Sequence, residues 1–67
     1  MALSARNQLK GTVKSVVLGT VMAEVVLDVG GQEVVSAITR HAVENLDIKS
    51  GDAVTAVIKS TEVMIDK

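Results

Sequence analysis

The sequence predicts an all-β protein: a small five-stranded OB-like barrel carrying one short helix. Three observations lead there. Valine supplies thirteen of the 67 residues, and valine, isoleucine and threonine together reach twenty-two, a set that is stiff at χ1 and packs well on pleated surfaces. Most segments alternate apolar and polar residues with the period of two that marks a strand. Glycine-containing turn signals separate these segments at short intervals. The resulting order, β-β-β-short α-β-β, suits a five-stranded barrel better than a sandwich, which needs about seven strands.

The first strand is expected over Gln8 to Leu18, with Leu9, Gly11, Val13 and Val17 on one face and Lys10, Thr12 and Lys14 on the other. Gly19-Thr20 follows, with glycine at the first central position of a type II′ hairpin. The second strand, Val21 to Val29, sets Val21, Ala23, Val25, Leu27 and Val29 on one face, while Met22 and Val26 share the other with Glu24 and Asp28. Gly30-Gly31 is a second hairpin signal, leading into Gln32 to Thr39. From Arg40 to Leu46 the alternation stops. Ala42, Val43 and Leu46 have the spacing of a short helical face, with Thr39 as its N-cap. After the turn Ser50-Gly51-Asp52, Ala53 to Lys59 alternates with Val54, Ala56 and Ile58 inward, and Val63 to Ile65 is expected to close the barrel as a fifth strand.

Composition then narrows function. A chain this short buries only about 60% of the surface its unfolded form exposes, and with no cysteine it has no disulfide to staple it. The two-sided apolar strands, Met22 among them, therefore predict association into a homo-oligomer. A net charge of −1 offers no field for nucleic acid or an anionic membrane, and a chain without any aromatic ring lacks the stacking platforms of single-strand binders. No apolar run is long enough for a signal sequence or a membrane span, so a cytoplasmic protein is expected. Catalysis is poorly provided for. His41 is the single histidine, and its pairing with Glu44 three residues on gives two metal ligands where a site needs at least three.

What remains are hydroxyl residues beside cations at the ends of expected strands: Ser4-Ala5-Arg6-Asn7, Thr39 at the helix start, and Lys59-Ser60-Thr61. A tetrahedral dianion carries only acceptor oxygens, so its site requires several donors and enough positive charge to offset desolvation. Hydroxyls, backbone N–H groups, Arg6 and Lys59 supply both. Taken singly, each motif is more often a solvated turn.

At these residues the sequence resembles the molybdenum-pterin-binding, or molbindin, family. The match runs from Ser4-Ala5-Arg6-Asn7-Gln8-Leu9-Lys10-Gly11 to Lys59-Ser60-Thr61-Glu62-Val63-Met64-Ile65, with Ala23-Glu24-Val25, Gly30-Gly31, Ser36-Ala37-Ile38-Thr39 and Gly51-Asp52-Ala53-Val54 between them. The resemblance implies one oxyanion-binding domain of the Mop, TOBE-like type over residues 1–67, assembled as a hexamer built from three dimers. It implies molybdate or tungstate as ligand, held at subunit interfaces, with a storage or homeostatic role, no catalysed reaction and no organic cofactor. Carried over by position, it implies oxyanion contacts from the Ser4 hydroxyl, the Ala5 N–H, the Arg6 guanidinium, the Thr39 hydroxyl, Lys59 and Ser60, the last two from a neighbouring subunit. Relatives often carry serine where this chain has Ala42, which removes a possible donor. The alternative reading is a structural or regulatory oligomerisation module related to molybdate transporter and regulator domains.

Overall fold

A computed structural model of the chain describes residues 4–67. Strands β1 (Asn7–Leu18), β2 (Met22–Val29) and β3 (Gln32–Thr39) form an antiparallel meander, followed by helix α1 (Arg40–Leu46), strand β4 (Ala53–Ile58) and a 3₁₀ turn over Ser60–Glu62. The sheet order is β3-β2-β1-β4, so β1 is central although it comes first in the chain.

The long β1 serves two partners in succession. Its first half pairs with β4 from Asn7↔Ile58 to Thr12↔Ala53, and its second half pairs with β2 from Thr12↔Asp28 to Leu18↔Ala23. A bulge between Val13 and Ser15 inserts Lys14 into the ladder, and such an extra residue bends a strand and sends the side chains beyond it to the opposite face. This overturns one expectation. Val17 stands on the outer face, 61% exposed, while Val16 is half-buried against the core. The bulge is clamped by the turn after α1: the Val13 N–H donates to Asp52 O at 2.9 Å, the Gly51 N–H to Val13 O at 2.8 Å, and the Ser50 hydroxyl to Lys14 O at 2.8 Å.

The core consists of Val13, Ala23, Val25, Leu27 and Val43, with Val54 and Ala56 packed against it from β4. The inward alternation expected for β2 and β4 is therefore found. The Gly30-Gly31 hairpin forms as expected, both residues taking positive φ (58° and 87°), with Asp28 Oδ1 accepting the Gly31 N–H at 2.9 Å. The first hairpin differs. Its connection extends over Gly19–Val21, the Gly19 N–H donates to Met22 O at 2.7 Å, and Gly19 does not take the positive φ that a type II′ turn demands.

Two further corrections concern the barrel. The fifth strand expected at Val63 to Ile65 does not form: residues 63–67 pair with no strand and are exposed. A 3₁₀ turn over Ser60–Glu62 follows β4 instead, and the Val63 N–H donates to Ser60 O at 3.4 Å rather than to a neighbouring strand. The sheet is consequently open, with β3 and β4 as its two edges, rather than a closed five-stranded barrel.

At Gly11 the strands approach so closely that an added Cβ would lie 2.6 Å from Asp28 O and 2.8 Å from Val29 Cγ2. Backbone cannot yield cheaply there, so Gly11→Ala is expected to lower unfolding stability in urea by roughly 1–3 kcal/mol. A loss below about 0.5 kcal/mol, the range of ordinary surface substitutions, would show that the crossing relaxes freely.

Candidate functional site

The chain has seven lysines and arginines, and three are engaged in ion pairs: Lys14 with Glu33 at 2.6 Å, Arg40 with Glu44 at 3.5 Å and Lys49 with Asp47 at 3.4 Å. The Glu33 carboxylate, by hydrogen bond and by charge, raises the Lys14 ammonium above its usual 10.5. Among the described residues, Arg6, Lys10 and Lys59 form no ion pair, and all three lie on or beside the β1–β4 ladder.

The register explains how they meet. Asn7↔Ile58 is the last pair of the ladder, so Arg6 and Lys59, each one residue beyond it, flank the same ladder end, and Lys10, which pairs with Thr55, lies further along the same ladder. Like charges opposed across a ladder end repel each other and are destabilising unless an anion lies between them. Around this pair stand Ser4 and Ser60, both exposed. Lys59, extended at φ −66° and ψ 140°, stands immediately before the 3₁₀ turn. Ala5 is 8% exposed, and its carbonyl accepts from Gln8 Nε2 at 3.3 Å, which ties down the lead-in to β1. Glu62, two residues past Ser60, is the nearest carboxylate along the chain.

Five of the six residues singled out in the sequence thus flank one end of the β1–β4 ladder: Ser4, Ala5, Arg6, Lys59 and Ser60. Thr39 does not join them. It pairs with Met22, beyond the Leu18 end of β1. At about 3.3 Å per residue the strand spans about 36 Å, comparable with the 34 Å long axis of the molecule. Thr39 caps α1 as expected, its Oγ1 accepting the Ala42 N–H at 3.0 Å and leaving its own proton to donate elsewhere. The backbone N–H groups anticipated at this helix start are partly spent, since the Arg40 N–H donates to Val21 O at 2.8 Å.

An open depression of about 460 Å³ lies beside Thr39, bordered by Thr20, Arg40 and His41. Arg40 donates from one guanidinium nitrogen to Gly19 O at 3.3 Å. Sequence reasoning missed Arg40 and Lys10, although Thr39-Arg40 repeats the hydroxyl-beside-cation pattern used for the two termini. His41 and Glu44 remain a pair: among the described residues no group of three His, Cys, Asp or Glu side chains gathers to hold a metal. The other large cavity, about 420 Å³, is apolar, and a dianion entering it would lose hydration without gaining donors.

Comparison with known proteins assigns the family. The TOBE domain pattern matches residues 3–65. Molybdenum-pterin-binding protein 3 of Clostridium pasteurianum is 56% identical over 66 residues, covering 97% of each chain. The chain belongs to the molybdenum-pterin-binding family of TOBE domains. Among solved structures of this family's fold, a molybdate-binding protein from Sporomusa ovata superimposes with a TM-score of 0.97 at 51% identity, each chain covered in full. ModG, described as a cytoplasmic molybdate-binding protein and solved with molybdate bound, is 49% identical with a TM-score of 0.85. The match covers 90% of this chain and 43% of ModG.

The cap at Thr39 separates two roles for one hydroxyl. Thr39→Ala should cost about 1 kcal/mol of stability through the lost cap, and Thr39→Ser should retain it. Urea denaturation of both variants checks this, and equal losses would show that the methyl group, not the hydroxyl, holds the helix start.

Proposed function

We propose that this protein binds molybdate or tungstate as the intact tetrahedral oxyanion and serves intracellular storage or homeostasis of the anion, without catalysing a reaction. The observation that carries the proposal is that Arg6 and Lys59 flank the same end of the β1–β4 ladder, with Ser4 and Ser60 beside them and no ion pair to either cation among the described residues. A dianion there neutralises two like charges at once and accepts from the Ser4 and Ser60 hydroxyls, the Ala5 N–H and the guanidinium fork. The names of its relatives support the ligand, and the description of ModG supports a cytoplasmic setting.

Thr39 enters the shell only from a second copy, since its own chain holds it at the far end of β1. Assembly, in the reading a hexamer of three dimers, is then part of the binding site. Ala42 leaves that side of the shell one hydroxyl short of the serine often found in relatives. A pterin fits the residues poorly: a heterocycle is held by stacking, and the chain has no aromatic side chain to offer. The structural-module alternative predicts assembly without anion uptake.

Calorimetry with molybdate, tungstate and sulfate tests the reading. Saturable heat is expected for the first two, and its absence for both would end the proposal. Arg6→Ala removes charge-assisted hydrogen bonds worth about 1.5–3 kcal/mol, a roughly ten- to hundred-fold loss of affinity, while native mass spectrometry should find the oligomer intact. Unchanged affinity would place Arg6 outside the shell.

A further inference from the structure

The lead-in to β1 carries Ser4, Ala5 and Arg6, and it lies beyond Asn7↔Ile58, the last pair of the β1–β4 ladder. Among the described residues no backbone hydrogen bond ties these three to the sheet. A side chain makes the tie instead: Gln8 Nε2 donates to Ala5 O at 3.3 Å. Gln8 itself is anchored, because its backbone pairs with Val57 inside the ladder and the amide therefore springs from a fixed base. Ala5 is buried, and the carbonyl of a residue withdrawn from water needs a partner. That carbonyl belongs to the Ala5–Arg6 peptide. The peptide unit is planar, so holding its oxygen also sets the direction of the Arg6 N–H and restricts the rotations on either side, ψ of Ala5 and φ of Arg6. The Arg6 side chain leaves the backbone immediately after the second of these.

We infer that Gln8 is a positioning residue for the oxyanion site: its amide fixes the Ala5–Arg6 peptide and so aims the Arg6 guanidinium, without touching the anion itself. The inference rests on the oxyanion reading of the preceding subsection. An arginine on an untied chain end has backbone as well as side-chain freedom to lose when it closes on a ligand, and each such ordering step subtracts from affinity. A guanidinium fork makes its paired contacts over a narrow range of directions, so a peptide free to turn weakens them further. Residue type alone gives Gln8 no such role. In the sequence it is one more polar residue of an alternating strand, and only the bond to a carbonyl three residues earlier connects it with the cation.

Gln8→Met removes the donor and keeps an uncharged side chain of similar length at an exposed position. In calorimetry of the full chain with molybdate its Kd is expected to rise about three- to tenfold, the cost of ordering one or two more groups on binding, with urea unfolding unchanged. The deciding measurement is the same substitution made together with Arg6→Ala, because two residues that act as a unit give non-additive losses. If Gln8 works by aiming Arg6, Gln8→Met should shift Kd less than about twofold once residue 6 is alanine, whereas a general loosening of the protein costs the same in both backgrounds. Wild-type affinity in Gln8→Met, or equal losses with and without Arg6, would overturn the inference and spare the oxyanion reading. A wild-type chain that takes up no molybdate would overturn both, so the two failures are told apart.

Discussion

The structure depends on one strand having two neighbours. β1 gives its first half to β4 and its second half to β2, and Thr12, where the halves meet, pairs with both Asp28 and Ala53. That division is possible only because Gly11 lets the backbones approach to a distance no Cβ would allow, and because the bulge at Lys14 bends the strand just beyond it. The turn at Ser50–Asp52 fixes the bend through three hydrogen bonds. A chain of 67 residues without aromatic side chains thereby obtains a core from three short ladders bent around Val13, Val25 and Leu27, where a flat sheet of the same residues would bury one valine-rich face against nothing.

The same strand decides the geometry of function. By running the length of the molecule it holds the Arg6 and Lys59 end far from Thr39, so donors that the sequence presents as one set fall into two groups on a single chain. Each group alone is incomplete for a dianion: the first has two cations and two hydroxyls, the second a hydroxyl beside Arg40. Symmetric association, which brings the end of one copy to the opposite end of another, is the economical way to unite them. An anion held in such a junction binds the assembled state better than the separate chains and so stabilises the assembly by mass action.

Much of this was legible in the residues. The period-two alternation of β2 and β4 marks which side chains face the core, Gly30-Gly31 announces its hairpin by the positive φ that both residues adopt, and Thr39 declares itself a cap by standing where alternation ends. The bulge was not legible. Lys14 looks like one more outward residue of an alternating strand, and its displacement arises from contacts with a turn 36 residues further on, a non-local cause that periodicity cannot register. Gly19 misled for a related reason: a glycine can take positive φ but need not, and here the longer loop over Gly19–Val21 relieves the demand. For the candidate site, hydroxyl-and-cation pairing singled out the residue types, but only the register Asn7↔Ile58 shows that Arg6 and Lys59 flank one ladder end.

Val63 to Ile65 reads as a strand for a sound reason: its apolar residues follow a turn and have the composition of a buried edge. Within one chain no strand pairs with it, and the 3₁₀ turn over Ser60–Glu62 stands between it and β4. Local propensity and single-chain topology therefore conflict at this one place, whereas nearly everywhere else they agree. Sequences fold well when such levels are consistent, and an isolated conflict involving three exposed apolar side chains is a feature that association can resolve. Retaining an exposed apolar end is costly for a solitary domain, and apolar surface of this kind is what association between chains covers.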